Sequence, residues 1–322
     1  MKNILITGGA GFIGSNLTRS FLKNSDTVTV IDNLLTGSKK NLEPFLKNNL
    51  FTFINVDLIK TEWMTKLTGQ TFDYIFHLAS PASPKQYFTH QKETLLVNSL
   101  GTYNILNFFK ESSSGSFLYT STSEVYGDPL EHPQKETYWG NVNPNGERSC
   151  YDEAKRFGEA MCMTFFRKDN LNIHIARLFN TYGPNMEMDD GRVVSNFITQ
   201  ALQNKDITVY NKGEQTRSFC YVDDMIVGLS LLSQSQSAGE VVNLGNSIEQ
   251  KIINVAHIIK KIVGSSSQIT AIPYPSDVPG DDPQRRRPDI AKAKKLFNFA
   301  PSTPFEEGIQ KTVEYFKSRF DL

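Results

Sequence analysis

Thr7-Gly8-Gly9-Ala10-Gly11-Phe12-Ile13-Gly14 spaces its glycines three residues apart, directly after an apolar run, Asn3–Thr7, and before a segment, 15–23, whose apolar residues recur at helical spacing. Strand, glycine loop and helix in that order form the first turn of a dinucleotide-binding sheet. Gly8 permits the tight turn, Gly11 lets the backbone approach a pyrophosphate, and Gly14 lets the helix pack close to the strand. A bare glycine turn has the same letters, and the acidic residue that follows separates the two. The next strand-like run, 27–31, ends at Asp32-Asn33, about 20 residues on, where a carboxylate can accept hydrogen bonds from an adenosine ribose. It would also repel a 2′-phosphate, so NAD is expected rather than NADP.

Outward from this loop, short apolar runs at 52–56, 74–78, 117–119 and 173–178 alternate with helical spacing at 99–110 and 151–166. That rhythm predicts stacked βαβ units and a parallel sheet covered on both faces. Asp57-Leu58 closes the third run toward the adenine, and Phe12, Ile13, Thr36, Gly37, Leu78 and Ala79 complete the expected cofactor contacts. After Pro184 the elements shorten: helix-like stretches at 193–202 and 223–232 flank a strand-like 218–222. Helical stretches at 254–263 and 305–316 follow, separated by a Pro/Asp/Arg-rich loop at 273–288. The predicted fold is α/β, a Rossmann-type doubly wound parallel sheet with a smaller α/β C-terminal substrate lobe. Residues 1–184 are read as the NAD-binding domain and 185–322 as the substrate lobe, with a soft boundary because such chains cross between lobes.

The 322 residues carry 34 Lys plus Arg against 34 Asp plus Glu, a formal net charge of +0. Balance of this kind argues against the basic surface of a nucleic-acid binder and offers no handle for an anionic membrane. No run approaches the ~20 apolar residues that span a bilayer, and the N-terminus runs straight into the first strand. Cys150, Cys162 and Cys220 lack CxxC spacing or a histidine cluster, so neither a disulfide framework nor a metal site is expected and a reducing, cytoplasmic setting fits.

Tyr151-Asp152-Glu153-Ala154-Lys155 puts Tyr151 and Lys155 at i and i+4, one above the other on a helix. A free tyrosine, with its pKa of ~10, is a poor base at neutral pH. A nearby lysine cation favours the phenolate. The fifth strand leads into Thr120-Ser121-Thr122-Ser123-Glu124-Val125-Tyr126-Gly127, so these hydroxyls and Glu124 emerge at the same carboxyl edge as the glycine loop. Thr122 there can hydrogen-bond the hydroxyl that Tyr151 deprotonates.

These motifs, with Arg177-Leu178-Phe179-Asn180-Thr181-Tyr182-Gly183-Pro184, resemble the extended short-chain dehydrogenase/reductase family acting on nucleotide sugars. Within it the chain resembles UDP-glucuronate decarboxylases and NDP-hexose 4,6-dehydratases. The decarboxylase likeness rests on His77-Leu78-Ala79-Ser80-Pro81-Ala82-Ser83-Pro84, Tyr138-Trp139-Gly140-Asn141-Val142-Asn143-Pro144, Gly191-Arg192-Val193-Val194-Ser195-Asn196-Phe197 and Asp281-Asp282-Pro283-Gln284-Arg285-Arg286-Arg287-Pro288-Asp289. The resemblance implies a tightly held NAD that oxidises C4 of the hexose and is regenerated within one turnover. A 4-keto sugar opens two outcomes: loss of CO2 from a C5 carboxylate, or loss of H5 and the C6 hydroxyl.

In family terms Tyr151, Lys155 and Thr122 serve the C4 step, Ser123 belongs with them to the catalytic set as the middle of the Thr122-Ser123-Glu124 triplet, and Glu124 matches the glutamate near C5 in both classes. Arg217 and Arg286 are expected on the diphosphate, with Arg192 as a further candidate, Asn180 on the nucleotide sugar and Tyr210 near the base. Decarboxylases carry Lys-Thr where this chain has Leu96-Val97, and their Gly is Ala154 here. Replacing that lysine removes positive charge from a site built for a sugar carboxylate. The expectation therefore leans to a 4,6-dehydratase, with a UDP-glucuronate decarboxylase giving UDP-xylose as the alternative, although Arg286 matches an arginine of certain decarboxylases. A C4 epimerase would not need Glu124. The family also implies a homodimer through helices 99–110 and 151–166. His77 reads as a packed histidine.

Overall fold

The computed structural model describes residues 1–112, 114–273 and 285–320. Six strands of the first half, β1 (Asn3–Thr7), β2 (Thr27–Asp32), β3 (Phe51–Asn55), β4 (Tyr74–His77), β5 (Ser116–Thr122) and β6 (Ile173–Leu178), lie parallel in one sheet. A seventh, Val241–Leu244, pairs with β6, so the spatial order is Val241–Leu244, β6, β5, β4, β1, β2, β3. Ile4, Leu5, Ile6, Val28, Val30, Ile31, Ile75 and Phe76 are fully buried, as expected when helices cover both faces of a parallel sheet. The chain winds outward from β1 through β2 and β3, then returns to the other side with β4. That reversal opens a crevice at the carboxyl ends of β1 and β4, the place where such sheets bind ligands. Helix α1 (Phe12–Lys23) rises from the glycine loop beside it.

Three elements differ from the sequence reading. β5 continues through Thr120, Ser121 and Thr122, all buried and paired with Ala176, Arg177 and Leu178, because neighbouring strands compensate its polar end. The helix expected at 99–110 begins at Gln91 and passes through a π-helical turn, Val97–Gly101, before Thr102–Glu111. Asn98 Nδ2 donates to the Thr94 carbonyl at 2.8 Å, and Ser99 Oγ donates to the Leu95 carbonyl at 2.6 Å. These side chains compete for ladder acceptors, a recognised cause of irregular turns. In the second half the 218–222 run divides into Thr216–Ser218, Cys220–Tyr221 and a helix starting at Val222.

Thr216–Ser218 is the centre of a small sheet, antiparallel to Glu249–Lys251 and parallel to Arg285–Arg286. Ile207–Tyr210 pairs with Ile269–Ile272. Residues 281–284 of the arginine motif, and most of the 273–288 loop, lie outside the described residues. Among the described residues no helix is long and apolar enough to cross a membrane.

Candidate active site

The glycine loop is built as a cradle. Gly8 has φ +74°, and a Cβ there would come within 2.8 Å of the backbone of Leu78 and Ala79. A Cβ on Gly14 would lie 2.3 Å from the Gly8 carbonyl oxygen, so only glycine lets α1 approach β1 this closely. Gly11 differs: a Cβ would meet only the Gly8 carbonyl oxygen, at 3.2 Å. No side chain caps the α1 N-terminus at Gly11, which leaves its amides for an anion. Asp32, at the end of β2, accepts the amides of Ala10 at 2.9 Å and Leu34 at 2.8 Å. Burial pushes its carboxyl upward, and these two bonds oppose the shift.

One cavity of about 330 Å³ runs from this loop across the switch point. It is lined by Gly8, Gly11, Phe12, Ile13, Gly14, Asp32, Asn33, Thr36, Gly37, Asp57, Leu58, Leu78 and Ala79, every residue expected at the cofactor. An open Gly11 face, uncapped helix amides and an acidic residue on the second strand fit a dinucleotide such as NAD.

Thr122, Ser123, Glu124, Tyr151 and Lys155 line the same cavity. Helix Ser149–Asp169 lays Tyr151 and Lys155 against the end of β5. Tyr151 is hydrogen-bonded to the Thr122 side chain, and Lys155 Nζ donates to the Thr120 carbonyl at 2.9 Å while lying 5.0 Å from the Tyr119 ring centre. Burial pushes the Tyr151 phenol up, with the Thr122 hydrogen bond pulling the other way. Burial also lowers Lys155 to about 7. Tyr87 stacks on Tyr151 with centroids 4.9 Å apart and planes 6° from parallel.

Glu124 sits between two guanidinium groups. Arg286 donates to it through both terminal nitrogens, at 2.6 and 2.8 Å, and Arg148 Nη2 donates to Oε2 at 2.5 Å. Burial disfavours the charge, but Arg148 and then Arg286 outweigh it and hold the carboxyl below the usual carboxylate range. Arg286, expected on a diphosphate, is here engaged by Glu124. Neighbouring Arg217, its register partner, adds to the positive field on Glu124.

Of the other expected substrate contacts, Asn180 and Arg192 line the cavity, and Arg192 pairs with Asp190. Arg217 and Tyr210 lie in the adjoining small sheets, outside the cavity lining. His77 is packed between Thr7 Oγ1 at 2.7 Å and Thr102 Oγ1 at 3.0 Å, and burial lowers it to about 3.

Leu96 is 43% exposed and outside the lining, which Val97 joins instead. The leucine therefore takes no charge from the cavity, and the sequence-based lean to dehydration loses its footing. Sequence reasoning missed Arg148 and Tyr87. Arg148 stands one helical turn before Tyr151, an i, i+3 spacing that could have revealed it.

A family model described as "NAD dependent epimerase/dehydratase family" matches residues 4–245. The chain is 48% identical over 320 residues to UDP-glucuronic acid decarboxylase 1 of Xenopus tropicalis, covering 99% of this chain and 73% of that protein. Among solved structures it is similar to the UDP-glucose 4-epimerase of Thermotoga maritima, with a TM-score of 0.89, 28% identity and 99% of each chain covered. It is also similar to the UDP-glucuronic acid 4-epimerase of Bacillus cereus in complex with UDP-glucuronic acid and NAD. There the TM-score is 0.87 with 29% identity, covering 98% of this chain and 99% of that one.

Proposed function

Since the chain belongs to the NAD dependent epimerase/dehydratase family, we propose that it decarboxylates UDP-glucuronate to UDP-xylose. The observation that carries this reading is the clamping of Glu124 between Arg148 and Arg286. A 4,6-dehydratase needs a base at C5 whose pKa lies near the working pH. A carboxylate whose oxygens both accept from guanidiniums, and which is held below the ordinary range, is poorly suited to take that proton. Decarboxylation breaks the C5–C6 bond instead and needs no such base. The 48% identity to a protein named as a UDP-glucuronic acid decarboxylase supports the same choice.

NAD, when bound, supplies the reversible two-electron oxidation of C4. Tyr151 takes the O4 proton and later returns it, with Thr122 orienting the shared hydroxyl and the Lys155 ammonium favouring the phenolate. Once C4 is a ketone, the sugar is a β-keto acid. CO2 leaves, the C5–C6 electron pair passes into an enolate ending at O4, and C5 then takes a proton from solvent, the one proton that the overall reaction consumes. Arg286 and Arg148 surround this centre with fixed positive charge that needs no reorganisation as the enolate forms. Arg192 and Arg217 are assigned to the diphosphate, Asn180 to the nucleotide sugar and Tyr210 to the base.

Purified protein given UDP-glucuronate should release CO2 and a UDP-pentose, read by mass spectrometry of the nucleotide sugar. A product short by one water from a UDP-, GDP- or dTDP-hexose, with UDP-glucuronate untouched, would establish the dehydratase. A C4 epimer that keeps every atom would establish the epimerase.

The same reading includes a homodimer. Leu95, Leu96, Leu100, Tyr103 and Phe157 are 43–51% exposed on neighbouring helical segments, an apolar face of the kind that protein interfaces cover. Sedimentation velocity should give a dimer for the parent and a monomer for Leu100→Glu/Phe157→Glu. A monomeric parent would remove the assignment.

A further inference from the structure

Three successive residues at the end of β5 are each held by a different turn of helix Ser149–Asp169. Tyr151 meets Thr122, Lys155 donates to the Thr120 carbonyl, and Glu159, one turn beyond Lys155, accepts from Ser121 Oγ at 2.5 Å. The first two contacts belong to the acid/base pair, whereas Glu159 has no part in it so far. Its buried carboxylate also accepts from Arg177 of β6, Nε at 2.9 Å and Nη2 at 2.7 Å. Arg177 in turn donates to the Tyr126 hydroxyl at 3.0 Å, and Tyr126 closes the short helical turn Ser123–Tyr126 that carries Glu124.

A buried ion pair by itself is weak evidence of a role beyond packing. The surroundings of Lys155 make this one different. Its ammonium lies 5.0 Å from the Tyr119 ring centre of β5, and the other groups whose charge it feels are His77 from β4 and Cys162 and Glu159 from its own helix. Burial keeps His77 neutral and keeps the Tyr119 phenol and the Cys162 thiol protonated. Among these groups Glu159 is the carboxylate, and it favours the charged form of Lys155 against the burial that lowers it.

We propose that Glu159 is a positioning residue for the acid/base step. It supplies the negative charge that keeps Lys155 an ammonium beside Tyr151, and Arg177 sets how much of that charge Lys155 feels. The inference rests on the assignment of Tyr151 and Lys155 to the C4 step.

Protein labelled with ¹³C at lysine Cε, with the Lys155 resonance identified by its loss in Lys155→Met, gives the titration of this ammonium directly. Glu159→Gln should lower its midpoint by about half a pH unit or more, since an anion is lost and the Arg177 cation is left uncompensated. Arg177→Gln should raise it, because Glu159 is then unshared. The alkaline limb of kcat should follow each midpoint in the same direction, since turnover fails once Lys155 loses its proton. Glu159→Asp should restore part of the parent midpoint. A pair that serves packing alone would lower activity evenly across pH.

Unchanged midpoints in both single variants would overturn the proposal. If Glu159→Gln does not fold, Arg177→Gln and the double variant Glu159→Leu/Arg177→Leu carry the test. In the double variant the midpoint should still fall, by less than in Glu159→Gln, and an unmoved midpoint would count against the proposal. Full turnover in Tyr151→Phe would instead remove the assignment of the C4 step, while leaving the midpoints where they are.

Discussion

Tyr151→Phe is expected to lower kcat with UDP-glucuronate by about 10³-fold, the scale of a lost general acid/base group. The substitution removes one oxygen and little else. The ring remains stacked on Tyr87, where the two planes are nearly parallel, and the helix keeps its contacts through Lys155 and Glu159. What disappears is the hydroxyl shared with Thr122, through which the O4 proton must leave and return. Because the diphosphate is held elsewhere, KM should change little, and the loss should lie in kcat. Steady-state kinetics would check this, with direct binding of UDP-glucuronate to the variant as the control. A kcat within about tenfold of the parent would show that another group moves the proton.

Arg286→Gln should reduce CO2 release by about 10²-fold or more, the cost of removing one preorganised electrostatic group from a developing charge. The guanidinium spans both oxygens of Glu124, a geometry that one amide cannot reproduce. Glu124 would be left with Arg148 and be free to turn toward it, weakening the field at C5 and changing its direction. Arg286→Lys should be intermediate, since an ammonium keeps the charge but lacks the fork. The split between constants is informative: a raised KM with unchanged kcat would mean that Arg286 grips phosphate and takes no part in the loss of CO2.

Much of this arrangement is local and therefore legible in the sequence. The glycine loop, Asp32 and the Tyr151/Lys155 pair each obey a short spacing rule, and β1, β2 and β4 announce themselves by short runs rich in β-branched, aliphatic and aromatic residues. β5 was read short because Thr120-Ser121-Thr122 is polar, although flanking strands bury it completely. Leu96 was misread for a subtler reason. The family pattern says which residue stands at this position but not which way it faces, and Leu96, the last residue before the π turn, points away from the cavity that Val97 lines. The Glu124–Arg286 pair joins positions 162 residues apart, and only the tertiary fold brings them together. Arg148 was within reach of helical arithmetic, but its meaning depends on the carboxylate it faces.

The order in which these parts leave the ribosome gives the layout a further meaning. Translation delivers the glycine cradle first, then Glu124, Tyr151 and Lys155, and Arg286 well after them. The strand Val241–Leu244, which covers the outer edge of β6, also arrives late. A polypeptide interrupted between residues 184 and 241 would carry the groups assigned to C4 but lack the arginine assigned to the carbon–carbon cleavage. It would also display the unpaired backbone of β6, an invitation to aggregation and to the quality-control machinery that removes such chains. Incompleteness would be marked on the surface of the nascent protein before a half-equipped catalyst could accumulate.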